Sequence, residues 1–422
     1  MAHPEQPVDL ECACEDGSRA MSLSQAKQLI FSNLIPIEIA ENVALEQAYL
    51  RILASDIFSP SAVPSFDNSA MDGYAFRAHE VADIHTCRLK IAGEALAGKP
   101  FMSIVPAGHC IRIMTGAPLP PDLDTVIMQE QVQAQDGWLR INTPFKPRQH
   151  VRYSGEDIQK NQKILAAGKA LGPADVGLLA SLGISTITVK KKLQVAFCST
   201  GDEVCALDQP LKPGQIYDSN RYILRGLLSP LNLQLTDLGI IPDDPAQLKT
   251  MFENAGQNAQ VLITTGGVSV GEADYVKKIL ESLGEILLWK IAMKPGKPLV
   301  FGQIKNCWYF GLPGNPVSAM ATFYQIVQPA LDYLAGATPT QPLSFQVPCV
   351  SPLRKSPGRQ EFQRGILFHD DNGQLVVKSA GKQGSHILSA MSTANCFIVL
   401  PQETSDVTPG TLVLVQVLSA KI

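Results

Sequence analysis

Val261-Leu-Ile-Thr-Thr-Gly-Gly-Val-Ser-Val-Gly-Glu-Ala-Asp-Tyr275 is the stretch around which the rest of the sequence is organised. Its first five residues are apolar or β-branched, which is typical of a buried parallel strand. Gly266 and Gly267 allow a sharp turn, and the apolar spacing after Gly271 predicts a helix. A glycine turn between strand and helix leaves backbone N–H groups free, which favours an anion. The spacing matches neither G-x-G-x-x-G nor the P-loop pattern, so a simple tight turn stays the alternative.

Length, composition and charge limit the class of protein. A chain of 422 residues with 45% hydrophobic and 18% charged residues is typical of a globular protein with about two to four domains. The net charge of −4 argues against nucleic acid as a partner, because phosphate backbones require a basic surface. Neither a long apolar run nor a signal segment is found, so we expect no membrane partner. The nine cysteines form no disulfide framework, which favours reduced thiols and a cytoplasmic location.

The first part of the chain is predicted to contain helices followed by a compact β domain. Ser22-Leu-Ser-Gln25 is a capping box that opens an amphipathic helix, and a second helix is predicted over residues 41–54. From residue 60 to about residue 153, short β-prone runs alternate with proline and glycine. Two polar loops stand out there, Phe66-Asp-Asn-Ser-Ala-Met-Asp-Gly-Tyr-Ala75 and Met114-Thr-Gly-Ala-Pro118. The dipeptide Asp72-Gly73 is also an ordinary hairpin-turn signal.

From Leu193 strands alternate with helices, which predicts a doubly wound parallel sheet. Asn315 before Pro316 is a sufficient helix start by itself. Four predicted strands nevertheless end in polar loops, namely Thr200-Gly-Asp-Glu203, Asp243-Asp244, Gly266-Gly267 and Gly314-Asn315. Because such sheets bind ligands at the carboxyl ends of their strands, these loops predict a ligand site. After about Gly336 the sequence returns to β-prone runs, with Arg364 and Gly384-Ser-His386 predicted in connections.

Acidic and basic residues in these loops suggest a metal and an anionic substrate. The carboxylates are Asp202, Glu203, Asp243, Asp244, Glu272 and Asp274. Close carboxylates repel unless a cation or shared proton compensates, and all-oxygen ligation suits Mg²⁺. Pro295 and Pro298 stiffen a loop that carries Lys294 and Lys297, although surface lysines often serve only solubility. The combination predicts phosphate-ester or anhydride chemistry, and no arrangement for a covalent nucleophile is found.

Six motifs together resemble the molybdopterin molybdenumtransferases of the MoeA type, which are related to the E-domain of gephyrin. These motifs are Asp67-Asn-Ser-Ala-Met-Asp-Gly-Tyr-Ala75, Arg112-Ile-Met-Thr-Gly-Ala-Pro118, Ser199-Thr-Gly-Asp-Glu203, Gly266-Gly-Val-Ser-Val-Gly-Glu-Ala-Asp-Tyr275, Lys294-Pro-Gly-Lys-Pro298 and Leu312-Pro-Gly-Asn-Pro316. The resemblance extends from about residue 21 to the end of the chain. It implies insertion of molybdenum from molybdate into adenylylated molybdopterin, with Mg²⁺-dependent release of AMP, as the final step of molybdenum cofactor biosynthesis.

The resemblance also implies an assembly and a set of site residues. It implies a homodimer of elongated four-domain subunits, a sheet domain like the MogA-type adenylyltransferase, and a contact with such an enzyme. Asp72, Glu203, Asp244 and Asp274 are the expected catalytic residues, and the last three are also the expected metal ligands. The expected substrate-binding residues are Thr115, Asp157, Gly266, Gly267, Ser269, Lys290, Lys294, Lys297, Pro298, Asn315, Arg364 and Ser385. Asp72 is expected to act across the dimer.

The predicted fold class is α/β plus β, with a doubly wound sheet domain, flanking β domains and a helical linking domain. The predicted division is a flexible extension (1–20), N-terminal helices (21–60), a β domain (61–153), a linking domain (154–190), the α/β domain (191–338) and a C-terminal β domain (339–422). Two other functions stay open. They are a catalytically silent scaffold with the same fold and a molybdopterin adenylyltransferase.

Overall fold

A computed structural model describes residues 20–83, 86–267 and 273–418, without the side chains of residues 273–275, 277 and 289. The chain divides into two compact units. Residues 42–49 and 53–188 form the first unit, and the other described residues form the second. The six-part division expected from the sequence stays a prediction.

Short strands dominate the chain up to residue 190. The elements are α1 (Leu23–Asn33), β1 (Ala40–Ala44), β2 (Ile57–Phe58), β3 (Asn68–Ser69), β4 (Gly73–Phe76), β5 (Arg88–Ala95), β6 (His109–Ile113), β7 (Thr125–Met128), β8 (Val132–Gln135), β9 (Trp138–Ile141), β10 (Val151–Arg152), β11 (Lys163–Leu165), α2 (Pro173–Ser181) and β12 (Thr186–Lys190). A mixed sheet of order β7-β4-β6-β5-β9-β8 forms the core of the first unit. Two apolar clusters bury the inner residues of these strands, so the predicted β-rich character is confirmed.

The helix predictions near the start of the chain had different outcomes. Helix α1 begins with the predicted capping box between Ser22 and Gln25. The helix predicted over residues 41–54 is wrong, because strand β1, a short 3-10 turn and extended chain occupy those residues. Leu50 has a φ of 61°, which no α-helix allows. The backbone of residues 45–54 also bonds to residues 168–190, so long-range pairing overrides helix propensity.

The middle of the chain alternates between strands and helices. Its elements are β13 (Leu193–Thr200), β14 (Val204–Cys205), β15 (Ile216–Tyr217), α3 (Asn220–Leu228), β16 (Leu233–Ile241), α4 (Pro245–Asn258), β17 (Val261–Thr265), α5 (Ala273–Leu283), β18 (Gly284–Lys290), β19 (Met293–Lys294), β20 (Pro298–Ile304), β21 (Cys307–Leu312), α6 (Pro316–Thr322) and α7 (Gln328–Leu334). A π-helical turn, Phe323–Val327, joins α6 to α7.

The resulting sheet has the order β16-β13-β17-β21-β20-β18 and is covered on both faces. Val261 and Ile263 of β17 pack in one apolar cluster with α1, α3, α6 and α7, whereas Leu262 packs in another with α4 and α5. This alternation is the two-residue period of a strand buried on both sides. The predicted doubly wound sheet is therefore confirmed. Strands β16, β13, β17 and β21 are parallel, and β20 and β18 add antiparallel pairs.

The last part of the chain forms a separate sheet of the second unit. Its elements are β22 (Ser344–Pro348), β23 (Gln360–His369), β24 (Leu375–Ser379), α8 (Leu388–Thr393), β25 (Cys396–Leu400) and β26 (Leu412–Val417). Strand β19 forms one edge of the order β19-β23-β25-β26-β22. Arg364 was expected in a connection, but it lies inside β23. Buried polar residues of β23, such as Glu361 and Gln363, hide the apolar alternation that identifies a strand.

Candidate functional site

The carboxyl ends of four parallel strands lie side by side at one edge of the α/β sheet. Thr200 of β13 pairs with Ile241 of β16, Ser199 pairs with Thr265 of β17, and Thr265 pairs with Leu312 of β21. The loops that follow these strands therefore begin next to one another. The convergence predicted from the sequence is present.

Two of these loops approach each other closely, because glycine on one of them lies against Thr200 on the other. Gly266 has a φ of 90° and Gly267 a φ of 66°, which is the left-handed region that favours glycine. A Cβ atom on Gly266 would stand 2.3 Å from the carbonyl oxygen of Thr200, and one on Gly267 would stand 2.9 Å from its hydroxyl. Gly314 approaches the same turn, since a Cβ there would stand 3.7 Å from the Cα of Gly266. Any side chain at Gly266 would push the strand ends apart.

A buried carboxylate, Asp218, holds two strand ends together. Ser199 Oγ donates to Asp218 Oδ1 at 2.8 Å and lies 3.1 Å from Thr265 Oγ1. The Asp218 side chain is 1% exposed, and Arg221 Nε donates to its Oδ2 at 3.2 Å. A buried charge is costly unless it is paired and hydrogen-bonded, and Asp218 is both. Sequence reasoning missed this residue, although the polar run Asp218-Ser-Asn220 at the start of α3 was a signal.

A small pocket opens between these loops and the start of α3. Asn220 Nδ2 donates to the carbonyl oxygen of Gly314 at 2.7 Å, and the buried Asn220 Oδ1 has no hydrogen-bond partner in the described part of the chain. That oxygen is ready to accept a hydrogen bond from a ligand. The lining residues are Ser199, Thr200, Glu203, Val204, Ile216, Tyr217, Asp218, Ser219, Asn220, Thr265, Gly266, Gly314 and Pro316.

The three predicted metal ligands, Glu203, Asp244 and Asp274, do not form a metal-binding group among the described side chains. Glu203 is exposed and folds back over Gly201, where a Cβ atom would stand 2.5 Å from Glu203 Oε2. Asp244 caps helix α4 by accepting from Gln247 N at 2.9 Å, which explains an aspartate there without a metal. Asp274 lies in α5, but its side chain is outside the described set, and Ser269 and Glu272 lie outside the described residues. Among described side chains, no three histidines, cysteines or carboxylates form a group that could hold a metal ion.

The lysine loop, residues 290–298, presents three basic side chains. Lys290 ends β18, is exposed and pairs through its backbone with Pro298, the first residue of β20. Lys297 is exposed, makes no ion pair within the described residues, and accepts at its carbonyl from Ile291 N at 3.0 Å. Lys294 instead donates to Glu361 Oε1 at 3.0 Å. The loop thus carries exposed positive charge on a backbone fixed at both ends.

Arg364 is buried behind the segment that carries Ser385. The residue is 1% exposed, its Nη2 donates to the carbonyl oxygens of Lys382 and Gly384 at 3.0 Å, and its buried Nε has no partner among the described atoms. Burial lowers the pKa of Arg364 to about 10, so it stays protonated at neutral pH. The carbonyl of Ser385 accepts from Val317 N at 3.3 Å, in the first turn of α6 after the N-cap Asn315. Arg364 therefore holds Ser385 beside the start of that helix.

In the first unit, Asp72 and Thr115 form a close pair. Asp72 Oδ1 accepts from Thr115 N at 2.8 Å and from Thr115 Oγ1 at 2.7 Å. These bonds, the backbone one foremost, hold the pKa of Asp72 below its usual value, so the carboxylate is ionised at neutral pH. Asp72-Gly73 is not a hairpin turn, since β3 pairs with β10 while β4 pairs with β6 and β7. Asp157 is exposed, and its N–H donates to the carbonyl of Val63 at 3.0 Å.

In the described part of the chain, no helix combines the length and apolar character that crossing a membrane requires.

Three family models match successive parts of the chain. They are described as MoeA N-terminal region (domain I and II), residues 21–183; probable molybdopterin binding domain, residues 196–333; and MoeA C-terminal region (domain IV), residues 346–418. The second of these ranges contains the strand ends and the pocket.

Relatives and solved structures match almost the whole chain. A molybdopterin molybdenumtransferase of Haemophilus influenzae is 45% identical over 398 residues, covering 94% of this chain and 98% of that protein. One from Nostoc sp. is 36% identical and covers 93% of both. A crystal structure of a molybdopterin biosynthesis MoeA protein from Pyrococcus horikoshii has a TM-score of 0.81 at 28% identity, covering 95% of this chain and all of that one.

These matches, together with the doubly wound sheet and the pocket at its carboxyl edge, define a transferase of molybdenum cofactor biosynthesis. The chain belongs to the molybdopterin molybdenumtransferase family.

Replacing Gly266 with alanine should destabilise the second unit and impair activity. The new Cβ atom would meet the carbonyl of Thr200 at 2.3 Å and force a left-handed backbone on alanine. Gly214→Ala is the matched control, because its φ of 85° is similar but nothing lies within 4 Å of its Cβ position. In urea unfolding, Gly214→Ala should lower the free energy of unfolding by the cost of the strained backbone, about 1–3 kcal/mol. Gly266→Ala should lower it by more than that. Equal losses would show that the contact with Thr200 is not required.

Proposed function

We propose that the chain inserts molybdenum from molybdate into adenylylated molybdopterin and releases AMP in a Mg²⁺-dependent reaction, as the final step of molybdenum cofactor biosynthesis. The observation that carries the proposal is the pocket at the carboxyl edge of the α/β sheet, with Glu203 and the glycine turn at Gly266 in its lining. Open α/β sheets bind ligands at this edge, and the matching domain model is described as a probable molybdopterin binding domain. Backbone groups at Gly266, Gly267, Ser269 and Asn315 are proposed to bind the substrate beside it.

Mg²⁺ fits the donors at this edge by its chemistry. It prefers oxygen ligands and is usually held by one or two carboxylates together with substrate phosphate. Glu203 offers an exposed carboxylate, and the cap interaction of Asp244 uses only Oδ1. We propose Glu203, Asp244 and Asp274 as its ligands. When bound, the ion would polarise a phosphoryl oxygen of the substrate.

The lysine loop, together with Arg364 and Ser385, is proposed to bind molybdate. Molybdate is a tetrahedral oxyanion, which charge-assisted donors recognise well. Lys290 and Lys297 are exposed, while the buried Arg364 holds Ser385 beside the start of α6. The proposed molybdate ligands are Lys294, Lys297, Arg364 and Ser385, and Lys290 and Pro298 are proposed to bind the substrate beside them.

We propose further that the protein is a homodimer in which residues of the first unit complete the site of the partner subunit. Asp72, Thr115 and Asp157 are the residues assigned to this role. The ionised Asp72 carboxylate, fixed by Thr115, is suited to hold a proton donor or a cation. A contact with a MogA-type adenylyltransferase would deliver the adenylylated substrate.

Glu203→Gln should abolish or strongly reduce Mg²⁺-dependent AMP release. The change keeps the shape of the side chain but removes the charge that a metal ligand needs. The assay follows AMP release from adenylylated molybdopterin during a Mg²⁺ titration, with melting temperature as the fold control. Asp208→Asn, an exposed aspartate outside the pocket lining, should behave like the wild-type protein. Full turnover by Glu203→Gln at the Mg²⁺ concentration that the wild-type protein needs would remove Glu203 from the metal site. A separate incubation of the wild-type protein with ATP and molybdopterin tests the alternative function, since AMP transfer to molybdopterin would indicate an adenylyltransferase.

Lys297→Ala should raise the molybdate concentration needed for turnover by about tenfold, as expected for the loss of one charge-assisted hydrogen bond. Molybdopterin binding, measured by calorimetry, should change little. Lys212→Ala removes an exposed lysine outside the lysine loop and serves as the charge control. An unchanged molybdate dependence in Lys297→Ala would exclude this side chain from the oxyanion site.

Mixing inactive Asp72→Ala and Glu203→Ala subunits should restore activity if the sites are shared across a dimer. Random exchange makes about half of the dimers mixed, each with one intact site, so about a quarter of the wild-type sites should return. Subunit exchange is verified by mass spectrometry with differently tagged chains. Mixed dimers that stay inactive would place Asp72 and Glu203 in the same subunit's site.

A further inference from the structure

Lys294 differs from the other lysines of the lysine loop because its ammonium is held by a buried carboxylate. Lys294 Nζ lies 3.0 Å from Glu361 Oε1, and the two side chains are 47% and 4% exposed. An ammonium has three N–H donors, and the bond to Glu361 uses one of them. The half-exposed end of Lys294 therefore keeps donors for a ligand.

The carboxylate of Glu361 is itself fixed at both oxygens. Its Oε2 accepts from Gln363 Nε2 at 3.1 Å, and Gln363 Nε2 also donates to the carbonyl of Arg354 at 2.9 Å. Gln363 is only 4% exposed. Because a carboxylate that is hydrogen-bonded at both oxygens cannot rotate freely, Glu361 presents Oε1 to Lys294 in one direction.

The backbone of Lys294 is fixed by the same strand that carries Glu361. Strand β19 pairs with β23 in parallel, with Met293 opposite Gln360 and Lys294 opposite Glu361. Gly296 packs so tightly that a Cβ there would stand 2.5 Å from Thr322 Oγ1 of α6. Both ends of the Lys294 side chain are thus positioned, the backbone by the sheet and the ammonium by Glu361.

Lys355, a lysine that is buried, does not replace Lys294 as the partner of Glu361. Lys355 is 5% exposed, and its Nζ donates to the carbonyl oxygens of Ser356, Gln402 and Thr404 at 2.9–3.3 Å. Glu361 and Glu403 attract the Lys355 ammonium electrostatically, but the three N–H donors of Lys355 are already used by the carbonyl oxygens. The direct cationic partner of the Glu361 carboxylate is Lys294.

We infer that Glu361 is a positioning residue that holds the Lys294 ammonium in place for the oxyanion bound by the lysine loop. Free lysine loses much side-chain entropy when it binds a ligand, and a fixed ammonium has already lost it. The inference rests on the proposed function for the identity of the oxyanion, but the pairing of Lys294 with Glu361 is tested without molybdate.

Glu361→Gln is the most direct test because it keeps the shape of the side chain but disrupts its hydrogen bonds to Lys294 and Gln363. A carboxylate accepts at both oxygens, whereas an amide accepts at one and donates at the other. In the variant, either Lys294 or Gln363 must face an amide N–H group. Asp371→Asn, an exposed aspartate in the turn between β23 and β24, is the control.

The first measurement is the rate at which limiting acetic anhydride labels each lysine of the full-length protein, read by mass spectrometry. Lys294 should react several-fold faster in Glu361→Gln than in wild type, because the ion pair must open before the amine reacts. Lys297 in the same loop should react at an unchanged rate and is the internal control. An unchanged Lys294 rate, with a melting temperature that shows a folded protein, overturns the inference.

The second measurement is a double-mutant cycle on the KM for molybdate. Lys294→Ala and Glu361→Gln should each raise KM, by about tenfold for the lost lysine, and the double variant should be no worse than Lys294→Ala alone. Additive effects would mean that Glu361 acts independently of Lys294 and would overturn the inference. Faster labelling with an unchanged KM in every variant would remove Lys294 from the molybdate site and would overturn the inference as well, because the ion pair would then serve no bound oxyanion.

Discussion

The close approach of Gly266 to the carbonyl of Thr200 is the constraint on which the functional edge depends. Parallel strands place their carboxyl ends together, but loops with side chains would keep these ends apart. Glycine at 266, with a left-handed φ, lets one backbone lie directly on another. The pocket beside Asn220 and Gly314 lies next to that contact, and the loops after β13, β17 and β21 line it together with the residues that lead into α3.

Two buried carboxylates, Asp218 and Glu361, also hold neighbouring side chains in place. Asp218 joins Ser199 to Arg221 beneath the strand ends, and Glu361 joins Lys294 to Gln363 in the C-terminal sheet. Each carboxylate is almost fully buried and is matched by a cation and further donors. Burying charge in this way adds little net stability, because desolvation offsets most of the attraction. Its effect is geometric, since the hydrogen bonds at both carboxylate oxygens fix the positions of their partners.

The C-terminal sheet positions the lysine loop, the proposed oxyanion site, through the short strand β19. The lysine loop leaves the α/β sheet at Lys290, runs along β23 and returns at Pro298. The C-terminal sheet therefore sets the shape of a loop that belongs in sequence to the α/β domain. This arrangement explains why Glu361 and Gln363 are polar residues inside a buried strand, the feature that concealed β23 in the sequence.

The sequence by itself determined the elements whose signals are local. The strand, glycine turn and helix around Val261–Tyr275 could be predicted, as could the capping box at Ser22 and the helix start at Asn315, because neighbouring residues alone produce them. The convergence of four strand ends followed from parallel topology. Only the tertiary structure decided the conformation of residues 41–54, the place of Arg364 within β23, and the partners of Asp218, Asn220 and Glu361. Those features rest on hydrogen bonds between residues that are mostly distant in sequence, and such bonds depend on how the sheets come together.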